Sequence, residues 1–271
     1  MLRPLTRLNK RLFSTSARTT MKVIPVQARS DNWMYLVIDE PSQTGAVVDP
    51  FDAPKLTAAA KEHGVKLTTL ITTHHHADHS GGNAKFLELN PGLTAYAGSD
   101  KSPGTNKIVG DGDKFTIGDN INVTCHSTPC HTQDSIAFFL EDKKTGQRGV
   151  FTGDTLFLAG CGRFFEGNAA EMHAALTKLG RLPDDTLVYN GHEYTIGSAK
   201  FGLTIEPNNA KLRQLYETAQ KDKCTTGKST IGDEKEWNVF MRLDRPEEIK
   251  ATGENDPIKV MHQLREMKNA M

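Results

Sequence analysis

The sequence lacks the features that mark several common classes of protein. No apolar run in its 271 residues approaches the roughly 18 residues that a membrane-spanning helix needs. Lysine plus arginine and aspartate plus glutamate number 33 each, so the composition provides no strongly basic face for nucleic acid. We therefore expect neither a membrane nor a nucleic acid as a partner.

Cysteine is also sparse, with four residues at irregular spacing: Cys125, Cys130, Cys161 and Cys224. They form no Cys-x-x-Cys pair and no disulfide framework, so we interpret them as free thiols in a reducing compartment. A chain of this length can bury its core without metal staples, and a bound metal would therefore serve chemistry. A Gly-x-Ser-x-Gly elbow is missing, which disfavours a serine hydrolase. The segment Gly227-Lys228-Ser229-Thr230 lacks the upstream glycine and the preceding strand of a phosphate-binding loop.

Acidic residues are absent from the first twenty positions, and the first one is Asp31. Residues 1–20 instead carry five basic side chains, leucines on one helical face and several hydroxyl residues, which is typical of a mitochondrial transit peptide. We therefore expect a mildly acidic mature protein in the mitochondrial matrix. The alternative is a disordered basic tail. Met21 could serve as a second start and give a cytosolic form.

Hydrophobic patterns predict a mixed α/β region followed by a helical one. Strands are predicted at 22–27, 33–38, 46–48, 66–72, 121–127, 135–140, 149–151 and 186–189, and helices at 52–64, about 83–90 and 169–180. Beyond residue 193, helices are predicted at 207–221 and 257–268, and the polar residues 222–236 are predicted to form a loop. We therefore expect one domain over 21–192 and a smaller helical domain over 193–271.

A histidine-rich segment follows the strand at 66–72 and reads Thr-His-His-His-Ala-Asp-His over 73–79. In an extended stretch alternate side chains point the same way, so His74 and His76 could hold one ion while His75 points away. Asp78 and His79 could then reach a second ion. Imidazole and carboxylate ligands suit zinc, iron or manganese. Three further residues that end strand-like runs could complete two sites: His131, Asp154 and His192.

These motifs, in the longer stretches around them, resemble the glyoxalase II (hydroxyacylglutathione hydrolase) family of the metallo-β-lactamase superfamily. The stretches are Thr-His-His-His-Ala-Asp-His-Ser-Gly-Gly-Asn, Thr-Pro-Cys-His-Thr, Phe-Thr-Gly-Asp-Thr-Leu-Phe-Leu-Ala-Gly-Cys-Gly-Arg-Phe and Gly-His-Glu-Tyr-Thr. The resemblance runs from about Met21 to the C-terminus. It implies an αββα sandwich with a smaller C-terminal helical domain that binds glutathione.

The resemblance also implies a ligand set for two divalent metal ions, with zinc expected and iron or manganese as alternatives. His74, His76 and His131 would hold the first ion, Asp78, His79 and His192 the second, and Asp154 would bridge both. Two cations that share a water lower its pKa toward neutrality. The resulting bridging hydroxide would attack the thioester carbonyl of S-(2-hydroxyacyl)glutathione, chiefly S-D-lactoylglutathione. Asp78 is predicted to be catalytic because it could steer this hydroxide.

Five positions are implied to bind the glutathione part of the substrate: Arg163, Phe165, Tyr194, Arg265 and Lys268. Arg265 and Lys268 are three residues apart on a predicted helix and therefore share a face. Two positions depart from the pattern of animal members. Arg163 stands where lysine is common, which should preserve carboxylate binding. Phe165 stands where a tyrosine hydroxyl donates a hydrogen bond, so affinity for glutathione should be somewhat lower.

Two alternatives to a thioesterase remain on this pattern. One is a different reaction on the same fold, such as a one-iron glutathione persulfide dioxygenase, a lactonase or a nuclease. The other is a non-catalytic binding protein, in which ligands would be lost, and none is lost here. We expect a monomer. The remaining histidines are treated as surface or supporting residues: His63, His75, His126, His173 and His262.

Overall fold

The computed structural model describes residues 21–271, and the predicted transit peptide at 1–20 lies outside the described residues. Strands form two sheets and a short hairpin. In chain order the strands are β1 (Met21–Gln27), β2 (Trp33–Asp39), β3 (Thr44–Val48), β4 (Lys66–Ile71), β5 (Thr94–Ala97), β6 (Lys107–Ile108), β7 (Lys114–Ile117), β8 (Ile121–Ser127), β9 (Ile136–Asp142), β10 (Arg148–Gly153), β11 (Leu156–Phe157), β12 (Gly160–Cys161) and β13 (Leu187–Asn190).

The first sheet has the order β1-β2-β3-β4-β5-β6, and the second has the order β13-β10-β9-β8-β7. The pairs from β3 to β6 are parallel, as is β10 with β13. Parallel neighbours end at the same sheet edge, so the loops after β3 and β4 meet there, as do those after β10 and β13. The predicted ligands follow three of these strands.

Helices cover the outer faces of both sheets. In chain order they are α1 (Ala53–Glu62), α2 (Ala77–Ser80), α3 (Asn83–Leu89), α4 (Ala169–Leu179), α5 (Thr195–Ile205), α6 (Ala210–Lys221), α7 (Ile231–Trp237), α8 (Pro246–Thr252) and α9 (Pro257–Asn269), with a 3₁₀ turn at Val239–Met241. Among residues 21–271, none of these helices has the length and apolar character that a membrane crossing requires.

The alternation of side chains along β2 shows why the sheets stack. Tyr35 and Val37 point between the sheets, while Leu36 and Ile38 point outward against α1 and α3. Both sets are apolar because both faces of this strand are buried. Each large apolar side chain that is fully buried contributes roughly 1.5–3 kcal/mol relative to exposure. The resulting helix-sheet-sheet-helix layering is the expected αββα sandwich.

The helical region packs on the second sheet through one continuous core. Val150 and Val188 of that sheet share a cluster with Met172 of α4 and with Val260 and Leu264 of α9. The core therefore crosses residue 193, where the division into two domains is predicted.

The predicted loop at 222–236 is wrong over its second half. Residues 231–237 form α7, which begins with a capping box between Thr230 and Asp233. That pattern is visible in the sequence, but the surrounding glycine, lysine and threonine residues obscured it. The first half runs beside β13, where Val188 N–H donates to Ser229 O at 2.9 Å. The glycine-lysine-serine-threonine segment therefore extends the second sheet.

Candidate metal centre and substrate cleft

The histidine-rich segment follows β4, as predicted, but only His74, His75 and His76 lie in the loop. Asp78 and His79 lie in the short helix α2, which was not predicted from the sequence. His74 is buried and His76 is partly buried, and both rings face His131 from the loop after β8. His76 Nδ1 lies 3.2 Å from His74 Nε2 and 3.1 Å from His131 Nε2. These three nitrogens form the first group.

Asp78, His79 and His192 form the second group. His79 Nε2 lies 3.2 Å from His192 Nε2. Asp78 Oδ2 lies 3.5 Å from His192 Nε2 and 3.8 Å from His79 Nε2. His192 reaches this position because it directly follows β13 across the tight Gly191.

Asp154 lies between the two groups, at the end of β10. Its Oδ2 is 3.4 Å from His131 Nε2 and 3.2 Å from His192 Nε2, and its Oδ1 is 3.4 Å from His79 Nε2. Burial would raise the pKa of Asp154, but His79 and His192 outweigh it and hold that pKa well below the usual range. Asp154 Oδ1 is buried and accepts no hydrogen bond from any residue within 21–271.

The donor set fits two cations. Imidazole nitrogens 3.1–3.2 Å apart repel through their lone pairs unless a proton or a cation lies between them. Two nitrogens that each lie about 2.0–2.1 Å from one tetrahedral ion are themselves roughly 3.3 Å apart, which is close to the separations observed here. The orphaned Asp154 oxygen and the convergent nitrogens therefore indicate a dinuclear metal site, and the donor atoms of each group lie within 4.8 Å of one another.

Hydrogen bonds on the far side of each ring fix the orientation of the histidines. His79 Nδ1 lies 2.9 Å from Asp49 Oδ2, His131 Nδ1 donates to Arg163 O at 3.0 Å, and His192 Nδ1 lies 3.1 Å from Asp31 Oδ1. These contacts leave each Nε2 free to face the centre. They also hold the rings in place in advance of metal binding.

Electrostatics favour protonation of His79 and disfavour protonation of His74. Burial opposes protonation of His79, but Asp154 and Asp49 outweigh it and raise its pKa to about 9. His74 faces more imidazole than carboxylate, and burial lowers its pKa well below the usual value. The negative charge of Asp154 and Asp49 thus favours a positive charge at the centre, which a metal ion would supply.

Two glycines allow the backbone to pass close to the ligands. A Cβ on Gly191 would lie 2.2 Å from Asp154 Oδ1 and 2.9 Å from His79 Cε1. A Cβ on Gly162 would lie 1.8 Å from Asp154 O. Neither position has space for a side chain.

Sequence reasoning missed several residues that support the ligands. Asp49 accepts from Thr73 N–H and Thr73 Oγ1, both at 2.7 Å, besides its contact with His79. Its position at the end of β3, beside β4 in the parallel sheet, was a usable signal. Asn32 Nδ2 donates to Asp78 Oδ2 at 2.9 Å. Asn32 and Asp31 lie in a turn with no motif, and no sequence signal pointed to them.

His75 is turned away from the two groups, as the alternation predicted. Its Nδ1 lies 2.7 Å from Asp134 Oδ1, and this carboxylate also accepts from Ser99 and Thr132 hydroxyls. His75 therefore anchors the ligand loop to the loop after β8.

A cavity of about 560 Å³ opens beside the metal groups. Its walls include His131 and Asp154 and all five predicted glutathione-binding residues, which are Arg163, Phe165, Tyr194, Arg265 and Lys268. The Tyr194 ring stacks on His192 at 4.7 Å between centroids, and the Phe165 ring lies 5.2 Å from His131. The predicted metal and substrate residues thus share one cleft.

The cationic residues of the cleft differ in exposure. Arg163 is exposed, and Lys268 is half-buried with its Nζ donating to Gly197 O at 2.7 Å. Burial and the positive charges of Arg265 and Lys200 lower the pKa of Lys268. Arg265 is buried and donates to Cys161 O at 2.9 Å. Three cationic side chains thus line this part of the cleft, but one of them, Arg265, already donates a hydrogen bond to a backbone carbonyl of the protein.

Known proteins carry the same features. Residues 29–192 match the sequence model of the metallo-beta-lactamase superfamily, and residues 193–271 match that of the hydroxyacylglutathione hydrolase C-terminus. The chain is 44% identical over 254 residues to the cytoplasmic hydroxyacylglutathione hydrolase of Arabidopsis thaliana, covering 92% of this chain and 98% of the relative. Its structure is similar to that of ETHE1 from Myxococcus xanthus, with a TM-score of 0.67, 26% identity and 91% of both chains covered. It is also similar to TTHA1623, solved in a di-iron-bound form, with a TM-score of 0.51, 27% identity, and 62% of this chain and 91% of that chain covered.

The αββα sandwich with histidines and aspartates at its strand ends, together with these matches, places the chain in the metallo-β-lactamase superfamily. Within that superfamily it belongs to the hydroxyacylglutathione hydrolase (glyoxalase II) family. The expected fold class and family are confirmed.

Proposed function

We propose that this chain is a thioesterase that hydrolyses S-(2-hydroxyacyl)glutathione, chiefly S-D-lactoylglutathione, to glutathione and D-lactate. The observation that carries the proposal is that one cavity is lined both by His131 and Asp154, here called its metal end, and by Arg163 and Lys268, here called its basic end. A ligand with a reactive carbonyl and remote carboxylates matches both ends. Family membership narrows that ligand to a glutathione thioester.

The proposed ligand set follows the two groups described above. His74, His76 and His131 would hold one ion, Asp78, His79 and His192 the other, and Asp154 would bridge them. When bound, two such ions supply an activated water and a Lewis acid for the thioester carbonyl. Zinc is the proposed metal because imidazole and carboxylate suit it, and iron and manganese are the alternatives.

Asp78 is proposed to orient the attacking water as well as to bind metal. Its carboxylate is held by Asn32, and burial, which would raise its pKa, is outweighed by His79 and Asn32, so its pKa lies below the usual value. It therefore stays ionised and can accept a hydrogen bond from water. An Asp78→Asn variant that kept both its metal content and its activity would exclude this role.

The basic end of the cleft is proposed to bind the glutathione carboxylates through Arg163 and Lys268. Charge-assisted hydrogen bonds from these side chains would fix the peptide while the acyl group reaches the metals. Tyr194 and Phe165 provide flat walls beside His192 and His131. Arg265 is buried and donates to Cys161 O, so we propose that it contributes positive charge to the cleft without the direct contact proposed for Arg163 and Lys268.

The leaving group needs little help from the protein. A thiol has a reference pKa of about 8.5, so the glutathione thiolate can depart without a strong general acid. The chemistry therefore needs a placed carbonyl and an activated water more than an added proton donor.

We also propose that the protein works as a monomer in the mitochondrial matrix. The basic, acid-free composition of residues 1–20 supports the location. N-terminal sequencing of the protein from isolated mitochondria, and sedimentation of the purified chain, test these two statements. An N-terminus that retained Met1 in the matrix fraction would refute a cleaved transit peptide.

The central experiment combines metal counting with activity. The purified chain is expected to contain about two metal ions and to consume S-D-lactoylglutathione, followed in the ultraviolet, until a chelator is added. One iron per chain, with oxygen uptake on glutathione persulfide and no thioester hydrolysis, would instead establish the dioxygenase alternative. Metal binding with neither activity would favour a binding protein.

A further inference from the structure

The short hairpin of β11 and β12, residues 156–161 and here called the cleft hairpin, connects the two ends of the cleft. It begins two residues after Asp154 and leads through Gly162 to Arg163. The Phe157 ring lies 5.3 Å from Tyr194 and 6.1 Å from His192. The cleft hairpin therefore lies in the chain between Asp154 and Arg163, and it places Phe157 beside Tyr194 and His192.

Side chains from the C-terminal helical region bind the backbone of the cleft hairpin. Glu234 Oε2 accepts from Ala159 N–H at 2.8 Å. Asn238 Nδ2 donates to Phe157 O at 3.3 Å and to Gly160 O at 3.0 Å. Three backbone polar groups of the hairpin turn are thus satisfied by Glu234 of α7 and by Asn238, which caps the C-terminus of that helix.

The turn depends on these partners. Ala159 is buried and has a φ of 55°, in the left-handed region that residues with a Cβ seldom adopt. The next residue, Gly160, has no space for a side chain, because a Cβ there would lie 2.6 Å from Ser198 Oγ. A strained, buried turn persists when its surroundings hold it in place.

Glu234 is an unusual residue for a purely structural role. It is fully buried, and its other partners are the neutral Ser229 Oγ at 2.6 Å and Asn238 Nδ2 at 3.0 Å. Burial raises its pKa to about 7. A buried carboxyl group without a cationic partner destabilises a fold relative to an apolar side chain, so its contribution is better sought in geometry.

We propose that Glu234 and Asn238 are positioning residues that hold the cleft hairpin so that Phe157 and Arg163 meet the glutathione part of the substrate. The inference rests on the proposed function, because the substrate it positions is the glutathione thioester. The C-terminal helical region would then contribute to the cleft in two ways: its side chains line the cleft, and Glu234 and Asn238 hold the cleft hairpin in place.

The test compares Glu234→Leu with Glu234→Gln and with the matched control Glu236→Gln, an exposed carboxyl group on the same helix. Glu234→Leu is expected to raise KM about tenfold with kcat within about twofold and metal content unchanged, because displacement weakens binding before chemistry. Glu234→Gln can keep the bonds to Ala159 and Ser229 and should restore KM. Glu236→Gln should resemble the wild type.

Two outcomes would overturn the proposal: a wild-type KM in Glu234→Leu, or a loss of metal and kcat with no change in KM. If Glu234→Leu does not fold, Ser229→Ala provides the test, because it removes one hydrogen-bond donor to Glu234. A KM about threefold higher would support the proposal, and an unchanged KM would contradict it. Calorimetry with S-methylglutathione, a thioether that cannot be hydrolysed, keeps the two proposals separate. If the wild type bound this ligand without hydrolysing the thioester, the proposed function would fail, and weaker binding by Glu234→Leu would still support the positioning role.

Discussion

The two ends of the cleft differ in how firmly their side chains are held. At the metal end, His79, His131 and His192 are almost fully buried, and each has a hydrogen bond on the ring face opposite the centre. At the basic end, Phe165 is 62% exposed, and Arg163 is exposed as well. Stabilisation of developing charge requires donors that are fixed in advance, whereas recognition of a flexible peptide needs charge that can adjust.

The difference follows from the elements that carry each end. The proposed metal ligands follow β4, β8, β10 and β13, whose ends are fixed by the hydrogen bonds of two packed sheets. Lys268 lies on α9, and Arg163 lies in the loop after the cleft hairpin. Substitutions at the metal end should therefore abolish the reaction, while those at the basic end should change affinity alone.

The strongest test of the metal end is Asp154→Asn. The substitution removes the negative charge shared by both groups and turns an amide toward His131 or His192. We expect metal content to fall below two per chain and kcat/KM to fall by at least about 10³-fold. Asp185→Asn, at an exposed carboxylate that pairs with Arg148, is the control and should leave both quantities unchanged. Full metal occupancy in Asp154→Asn would contradict its bridging position.

Asp49→Asn tests whether the support behind the ligands matters as much as the ligands. Asp49 holds His79 and the Thr73 backbone from a buried position. Loss of such an outer contact should weaken metal affinity about 10–100-fold, measured by competition with a chelator. Asp31→Asn, behind His192 but 38% exposed, should have a smaller effect. A larger loss of metal affinity in Asp31→Asn than in Asp49→Asn would show that burial does not determine how much each contact contributes.

At the basic end, Lys268→Met should act on binding alone. Losing one charge-assisted hydrogen bond should raise KM about tenfold and leave kcat and metal content unchanged. Added salt should narrow the gap between the variant and the wild type, because it screens the wild-type interaction. Lys259→Met, on the same helix and paired with Glu254 at 3.9 Å, provides the matched control. A fall in kcat would mean that the two ends are not separable.

The same contrast governs what the sequence could predict. The seven positions proposed to bind metal could be singled out because a metal requires particular donor atoms, and those atoms occur here in short motifs at strand ends. The strands were also predictable where both faces are apolar, as in β2. Asp31, Asn32 and Asn238 could not be found this way, since each acts through a contact with residues more than forty positions away. Single asparagines and aspartates in turns carry no pattern that distinguishes them from ordinary turn residues.

In the C-terminal helical region, sequence patterns predicted some helices and missed another. Helices α6 and α9 were predicted from their apolar faces, but α7 was assigned to a loop because its sequence is polar. That polarity has a structural cause, since Glu234 faces the cleft hairpin and Asp233 caps the helix. The role of Arg265 was also hidden, because a basic helix face gives no sign that one of its cations is buried against a backbone carbonyl.

Phe165→Tyr is the mildest test and addresses the departure from the family pattern. The Phe165 ring lies 5.7 Å from His76 and 5.2 Å from His131, so its outer edge faces the cleft. A hydroxyl added there could donate to the glutathione backbone, and one net hydrogen bond at an exposed position should lower KM about two- to threefold. The kcat should not change, because the metal end is untouched. A lactoyl thioester of N-acetylcysteamine, which lacks both carboxylates and the cysteinyl-glycine peptide bond of glutathione, should be hydrolysed equally by both forms. If KM for the glutathione thioester stayed the same, the hydroxyl would not reach the substrate, and the contribution of position 165 would be limited to packing its ring against the two histidines.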